Sequence, residues 1–246
     1  MKIGLQLYNF RNQLKEDFRG ALKEIAKLGA DGVEFAVNYG GLPPEELKAF
    51  LKELKLECAG TMFSVDNLVQ ADNEAYQYAK ALNTPAVTIS AFASTVEEWD
   101  AIREKCRIIG ANAAKYGTVF SYHNHWTEFG TFEGKTFMDR ILENTDPKQV
   151  FMEPDICWLN RSGINPVDFI RKYADRIRQV HIKDIKVPTE VSTTTELGKG
   201  VVPVIPVLNL AGELPGRWFI YEQDSSEDPF RSAAESLAFL KKNLPR

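Results

Sequence analysis

Short apolar runs of strand type alternate with amphipathic helical stretches along this chain, and the alternation repeats about eight times without a long linker. The strand-type runs are Ile3–Tyr8, Gly32–Ala36, Leu56–Met62, Ala86–Ser90, Val119–His125, Val150–Ile156, Gln179–Lys183 and Trp218–Gln223. Alternation of this kind is the pattern of parallel βα units, and eight is the number at which such units close into a barrel. The expected architecture is α/β, one (β/α)8 barrel spanning 1–246, and 246 residues is close to the roughly 250 that such a barrel takes as one domain.

The helical stretches carry their own punctuation. Asp17–Leu28 sets Leu22, Ile25, Ala26 and Leu28 on one side, and Pro43–Leu54 opens on two prolines, residues suited to a helix start. The longest stretch, Val96–Tyr116, has Thr95 as N-cap, Glu97 and Glu98 in its first turn and Gly117 as its stop. Asn165-Pro166 begins a helix through Arg176, and Asp228-Pro229 begins the last, whose Phe230, Ala233, Ala234, Leu237 and Leu240 read as core packing. Ile185–Ile205, with Pro188, Ser192-Thr193-Thr194-Thr195 and Gly198-Lys199-Gly200, reads as a long loop on the catalytic face, expected to cover substrate, with a disordered insertion as the alternative.

Composition excludes some classes of partner. A formal charge of −4 and a pI near 5.6 leave no basic excess for a phosphate backbone, so nucleic acid is not expected. No apolar stretch is long enough for a signal or membrane span. A cytoplasmic location is therefore expected, a leader removed from a precursor remaining compatible with the start at Met1. Cys58, Cys106 and Cys157 are odd in number and lack a Cys-x-x-Cys, so they read as buried, reduced thiols.

The three histidines fall in two strings, Tyr122-His123-Asn124-His125 and His181-Ile182-Lys183-Asp184, each closing a strand-type run. Two more runs end in carboxylates, Met152-Glu153-Pro154-Asp155 and Tyr221-Glu222-Gln223-Asp224. Side chains alternate along a strand, so His123 pairs in direction with His125, Glu153 with Asp155, and His181 with Lys183. The C-terminal ends of strands five to eight would then bring imidazoles and carboxylates to one mouth, a donor set suited to a divalent ion such as Mn, Co, Zn, Mg or Fe. Any one of these residues alone is ordinary buried, hydrogen-bonded structure.

As a set, these strings resemble the xylose isomerase-like TIM barrels, in the sugar phosphate isomerase/epimerase branch of the endonuclease-IV-like superfamily. The resemblance spans the whole chain: Ile3-Gly4-Leu5-Gln6-Leu7-Tyr8, Gly32-Val33-Glu34, the His123 string with Glu128-Phe129, Asp155 with Trp158, the His181 string, Gly198-Lys199-Gly200-Val201 and Glu222-Gln223-Asp224. It implies one metal held by Glu, Asp, His and Glu, the last three matched by Asp155, His181 and Glu222. Where the wider superfamily often has Glu-Asn-His, this chain has His123-Asn124-His125. His123 is taken as the fourth ligand, with His125, Glu153 or a water as alternatives. Exchanging a carboxylate for an imidazole leaves a stronger Lewis acid.

The mechanism that follows is proton abstraction next to a metal-bound carbonyl of a sugar-like substrate. His125, Glu153 and Lys183 are candidate acid/base groups, Lys183 only if desolvation lowers its pKa, otherwise as an ion-pair partner of Asp155 or Glu153. Trp126 and Glu128 are expected to line the sugar site, or alternatively to staple a loop. Gln6, Tyr8 and Glu34 read either as substrate hydrogen-bonding groups or as polar groups of the barrel interior, and Gly198-Lys199-Gly200 reads first as a simple turn, with Lys199 contacting an anionic group as the alternative. The expected activity is a metal-dependent isomerase or epimerase on a sugar, sugar phosphate or cyclitol. The alternatives are a lyase or dehydratase on a 3-oxo sugar, glycoside or inosose, and a non-catalytic sugar-binding barrel. Cleavage of abasic DNA is disfavoured, because its metal cluster needs more than three histidines. A homo-oligomer is compatible with a barrel of this size.

Overall fold

A computed structural model describes residues 1–214 and 216–245 of the chain. Eight parallel strands form one sheet: β1 Lys2–Gln6, β2 Gly32–Ala36, β3 Glu57–Phe63, β4 Val87–Ile89, β5 Phe120–His123, β6 Val150–Glu153, β7 Gln179–Ile182 and β8 Trp218–Tyr221. Their order is β6-β5-β4-β3-β2-β1-β8-β7. The sheet closes between β6 and β7 through isolated parallel bridges, Met152 to Ile177 and Asp155 to His181. The second bridge is supported by the His181 amide, which donates to the Pro154 carbonyl at 2.9 Å. The expected (β/α)8 barrel is the fold observed.

The outer helices include α1 Phe18–Lys27, α2 Pro44–Glu53, α3 Glu74–Ala81, α4 Val96–Lys115, α5 Phe137–Glu143, α6 Pro166–Lys172, α7 Val204–Leu208 and α8 Pro229–Asn243. The Thr95 side chain and Glu98 form a reciprocal capping box on α4, satisfying amides that the first turn leaves free. On α8, Ala233, Leu237 and Leu240 face the core. Among the described residues no helix is long and apolar enough to cross a membrane.

Several strands stop earlier than their apolar runs, each for a local reason. Gln6 ends β1 because its side chain accepts from Tyr8 N and caps a 3-10 turn over Leu7–Phe10. After β6, Pro154 cannot extend the ladder, and Asp155 caps a short helix, Ile156–Arg161. The stretch expected as one helix to Arg176 ends α6 at Lys172 and continues as a 3-10 turn, Ala174–Arg176. Helix α3 was not expected, because its buried positions are Ala75, Tyr76, Tyr78 and Ala79 rather than a stripe of aliphatic residues.

The segment after β7 is ordered around one carboxylate. Asp184 accepts from the amides of Gly198 (2.9 Å), Gly200 (3.0 Å) and Val202 (3.1 Å), while Asp184-Ile185 pairs antiparallel with Thr194-Thr195. The chain must pass close to Asp184, since a Cβ on Gly200 would lie 2.2 Å from Oδ1. The Gly-Lys-Gly string is thus a turn wrapped on Asp184, and only Val191 from this segment reaches the pocket described next.

Candidate metal centre

The ends of β5 to β8 deliver His123, Asp155, His181 and Glu222 to one place, each with a donor atom within 4.8 Å of the others'. All four are buried. Asp155 uses Oδ1 as a helix cap, accepting from the amides of Cys157 (2.8 Å) and Trp158 (3.4 Å). Its Oδ2 faces His123 Nε2 at 3.9 Å and lies 3.0 Å from the Lys183 ammonium. Two imidazoles and two carboxylates with donor atoms this close together fit a divalent ion of the Mn, Co, Zn or Fe type.

Lys183 lies beside these donors. Its Nζ is 3.0 Å from Asp155 Oδ2, 2.8 Å from Glu222 Oε2 and 3.0 Å from Asp224 Oδ2. Burial works to strip the proton from the amine, but the three carboxylates outweigh it and hold the pKa well above the ordinary lysine value. The condition for Lys183 as a base, a lowered pKa, is not met in this setting, and the geometry matches the alternative reading of an ion-pair partner of Asp155. Glu222 shows the reverse. Burial opposes its charge, yet Lys183 and His181 hold its carboxyl well below the usual range.

A second buried group lies behind the first. His181 Nδ1 meets Glu222 Oε2 at 2.9 Å, while its Nε2 meets Glu34 Oε2 at 2.6 Å and Glu153 Oε1 at 2.8 Å. Burial, then the charge on Glu153, pushes Glu34 up to about 8. Burial acts on Glu153 in the same direction, but the charge on His181 and the close approach of the His123 and His181 rings bring it down to about 2. The two carboxyls are thus driven in opposite directions, Glu34 up and Glu153 down. Neither lines the pocket: Glu34 takes the barrel-interior position of its alternative reading, and Glu153, a candidate acid/base, lies beside it. A residue two positions earlier on a strand lies about 6.6 Å deeper in the barrel.

Above the metal donors opens a cavity of about 380 Å³ whose walls include Tyr8, Phe92, His125, Trp126, Trp158, Lys183 and Asp224. The His125 ring lies 4.3 Å from that of Phe92. Burial, then His123 and Lys183, pushes His125 down to about 2, so it stands as a neutral imidazole. Its Nδ1 is buried without a hydrogen-bond partner among the described residues. Trp126 packs edge-on to Trp158 at 5.2 Å and carries the Arg161 guanidinium 3.7 Å from its ring centre. Tyr8 is exposed at the rim beneath Arg11.

Two other side chains named from the sequence lie outside the cavity lining and match their alternative readings. Glu128 is fully buried and accepts from the His125 amide (3.1 Å) and the Tyr122 hydroxyl (3.2 Å), so it ties down the turn after β5 instead of facing sugar. Lys199 does not line the cavity. Its ammonium pairs on the surface with Glu235 and with Glu196, the latter at 3.4 Å. Phe92 was not anticipated as a wall of the site, and Asp224 was quoted only as part of a strand-end string. The three cysteines are free and buried, and burial pushes the Cys58 thiol up to about 12.

Residues 22–243 match the family described as xylose isomerase-like TIM barrel. The chain belongs to that family. Among curated proteins it is 30% identical over 190 residues to an inosose dehydratase of Lactiplantibacillus plantarum, covering 67% of this chain and 62% of that protein. A second inosose dehydratase, from Geobacillus thermodenitrificans, is 30% identical over 169 residues, 60% of this chain and 55% of the relative. The chain thus spans about six-tenths of the length of these relatives. Among solved structures, a sugar phosphate isomerase/epimerase from Parabacteroides distasonis superposes with a TM-score of 0.80 at 19% identity, covering 97% of this chain and 92% of that one. The IOLI protein with a bound zinc atom superposes with a TM-score of 0.79 at 13% identity, covering 100% of both chains.

Proposed function

We propose that this chain is a divalent-metal-dependent enzyme that removes a proton from the carbon next to a carbonyl of a sugar-like or cyclitol ketone. The observation that carries the reading is the convergence of His123, Asp155, His181 and Glu222 within 4.8 Å at the floor of a cavity walled by Trp126, Trp158, Phe92 and His125. When bound to these four residues, the ion would polarise a substrate carbonyl or hydroxyl and acidify the neighbouring C–H.

The chain's own residues supply the rest. Trp126 and Trp158 offer apolar faces to the C–H surface of a ring. His125 lines the cavity as a neutral imidazole, a hydrogen-bonding wall for substrate whose depressed pKa makes it a weak base. The Lys183 ammonium, 4.7 Å from the centre of the Trp158 ring, and Asp224 also line the cavity, where a hydroxyl can be bound by donor and acceptor together.

Two fates are open to the carbon after it loses its proton. Return of the proton gives an isomerase or epimerase; departure of a neighbouring hydroxyl gives a dehydratase. Similarity to inosose dehydratases favours loss of water. Incubation of the Mn-loaded protein with an inosose in D2O, followed by NMR, tests both. Deuterium at the carbon beside the carbonyl, or a dehydrated product, is expected. No exchange and no product from any keto-sugar or inosose, with metal bound, would overturn the reading.

A further inference from the structure

Exchanging a carboxylate for His123 leaves two negative ligands among the four metal donors, and the missing charge reappears one layer deeper in the barrel. Glu153 Oε1 lies 3.4 Å from His123 Nδ1 and 2.8 Å from His181 Nε2. These are the ring nitrogens facing away from the other donors, since His123 Nε2 faces Asp155 and His181 Nδ1 faces Glu222. A single carboxylate therefore stands behind both imidazoles, and Glu34 Oε2 adds a 2.6 Å contact to His181.

The barrel is shaped to hold this layer. The Thr88 hydroxyl donates to Glu153 Oε2 at 3.1 Å, and the Gln6 amide donates to Glu34 Oε2 at 2.8 Å. A Cβ at Gly60 would lie 2.2 Å from Glu34 Oε1, so the glycine on β3 leaves room for the acid. Both glutamates are fully buried, although barrel interiors are ordinarily filled by branched apolar side chains and buried carboxylates are costly unless partnered. A carboxylate behind a histidine ligand orients the ring and makes it a better donor.

We propose that Glu153, assisted by Glu34, is the positioning residue of the metal centre, restoring behind both imidazoles the negative charge that His123 removes from the ligand set. This inference rests on the metal reading above. Its test is titration of the metal-free protein and of Glu153→Gln with Co2+, reading the dissociation constant and the visible absorption of the bound ion.

The variant is expected to bind one Co2+ with an affinity lower by about 10- to 100-fold and with shifted absorption bands, while its circular dichroism is unchanged. The loss should shrink when Glu153→Gln is made together with His123→Glu, because the carboxylate is then back among the ligands. Thr88→Val, which frees Glu153 without removing it, should weaken binding in the same direction and serves if Glu153→Gln fails to fold. Equal affinity and an identical spectrum in Glu153→Gln and Thr88→Val would overturn the proposal alone. Two Co2+ per unaltered chain, one of them lost in Glu153→Gln, would also overturn it by making Glu153 a ligand. No Co2+ binding by the unaltered chain would overturn the metal reading and this inference with it.

Discussion

Lys183 Nζ lies 2.8 Å from Glu222 Oε2, so an ammonium and a metal ion draw on the same carboxylate. Removing a partner from a buried ion pair leaves charge uncompensated and costs about 3–5 kcal/mol. Lys183→Met is expected to lower the stability of the metal-free protein by about that amount, and added Mn or Zn should recover part of it by supplying the positive charge. Urea unfolding with and without metal checks both parts.

Metal affinity should rise with pH. Burial works against a charged His181, but Glu153, Glu34 and Glu222 hold its pKa well above the ordinary histidine value. A ligand imidazole must shed the proton on its donor nitrogen, so each proton released on binding strengthens affinity by up to about tenfold per pH unit below the folded pKa. Calorimetric titration with Zn from pH 6 to 8 in buffers of different ionisation enthalpy gives both the slope and the proton count. A flat profile would show that His181 is already neutral in the metal-free chain.

Gly200→Ala is expected to destabilise the fold by about 1–3 kcal/mol, the usual range for overpacking, because its Cβ would lie 2.2 Å from Asp184 Oδ1 and 2.4 Å from the Ile185 carbonyl. Thermal unfolding measures the loss. Limited proteolysis should show new cleavage between residues 186 and 200, since the amides of Gly198, Gly200 and Val202 would lose their shared acceptor.

On the acid side, Glu196 contributes stability that depends on its charge. Burial works to raise its pKa, but the Ser232 hydroxyl, its own backbone amide and Thr195 bring it down to about 2. Since the folded pKa lies below the ordinary 4.5, this contribution is complete above pH 4.5 and is lost as pH falls towards about 2. Ser232→Ala should therefore lower the melting temperature at pH 6 more than at pH 2.5.

The barrel was legible in the sequence because eight parallel strands, each covered by helices, leave eight apolar runs in a regular alternation. The rim positions were legible for a related reason: His123, Asp155, His181 and Glu222 each fall at the end of such a run. Depth was not. Glu153 and Glu34 point inward from β6 and β2, and only the packed barrel shows that they lie behind His181 and not in the cavity. Partners distant in sequence were equally hidden, since the pairing of Lys199 with Glu235 spans 36 positions. Phe92 carried no signal, being one aromatic residue in an irregular loop after the three-residue strand β4.

Metal stoichiometry of the purified chain tests the central claim most directly, by elemental analysis after loading with Mn or Zn and exhaustive dialysis. One ion per chain is expected, and none in Asp155→Ala or Glu222→Ala that remain folded by circular dichroism. A folded unaltered chain that retains no ion, or an ion held equally well by both variants, would contradict the account.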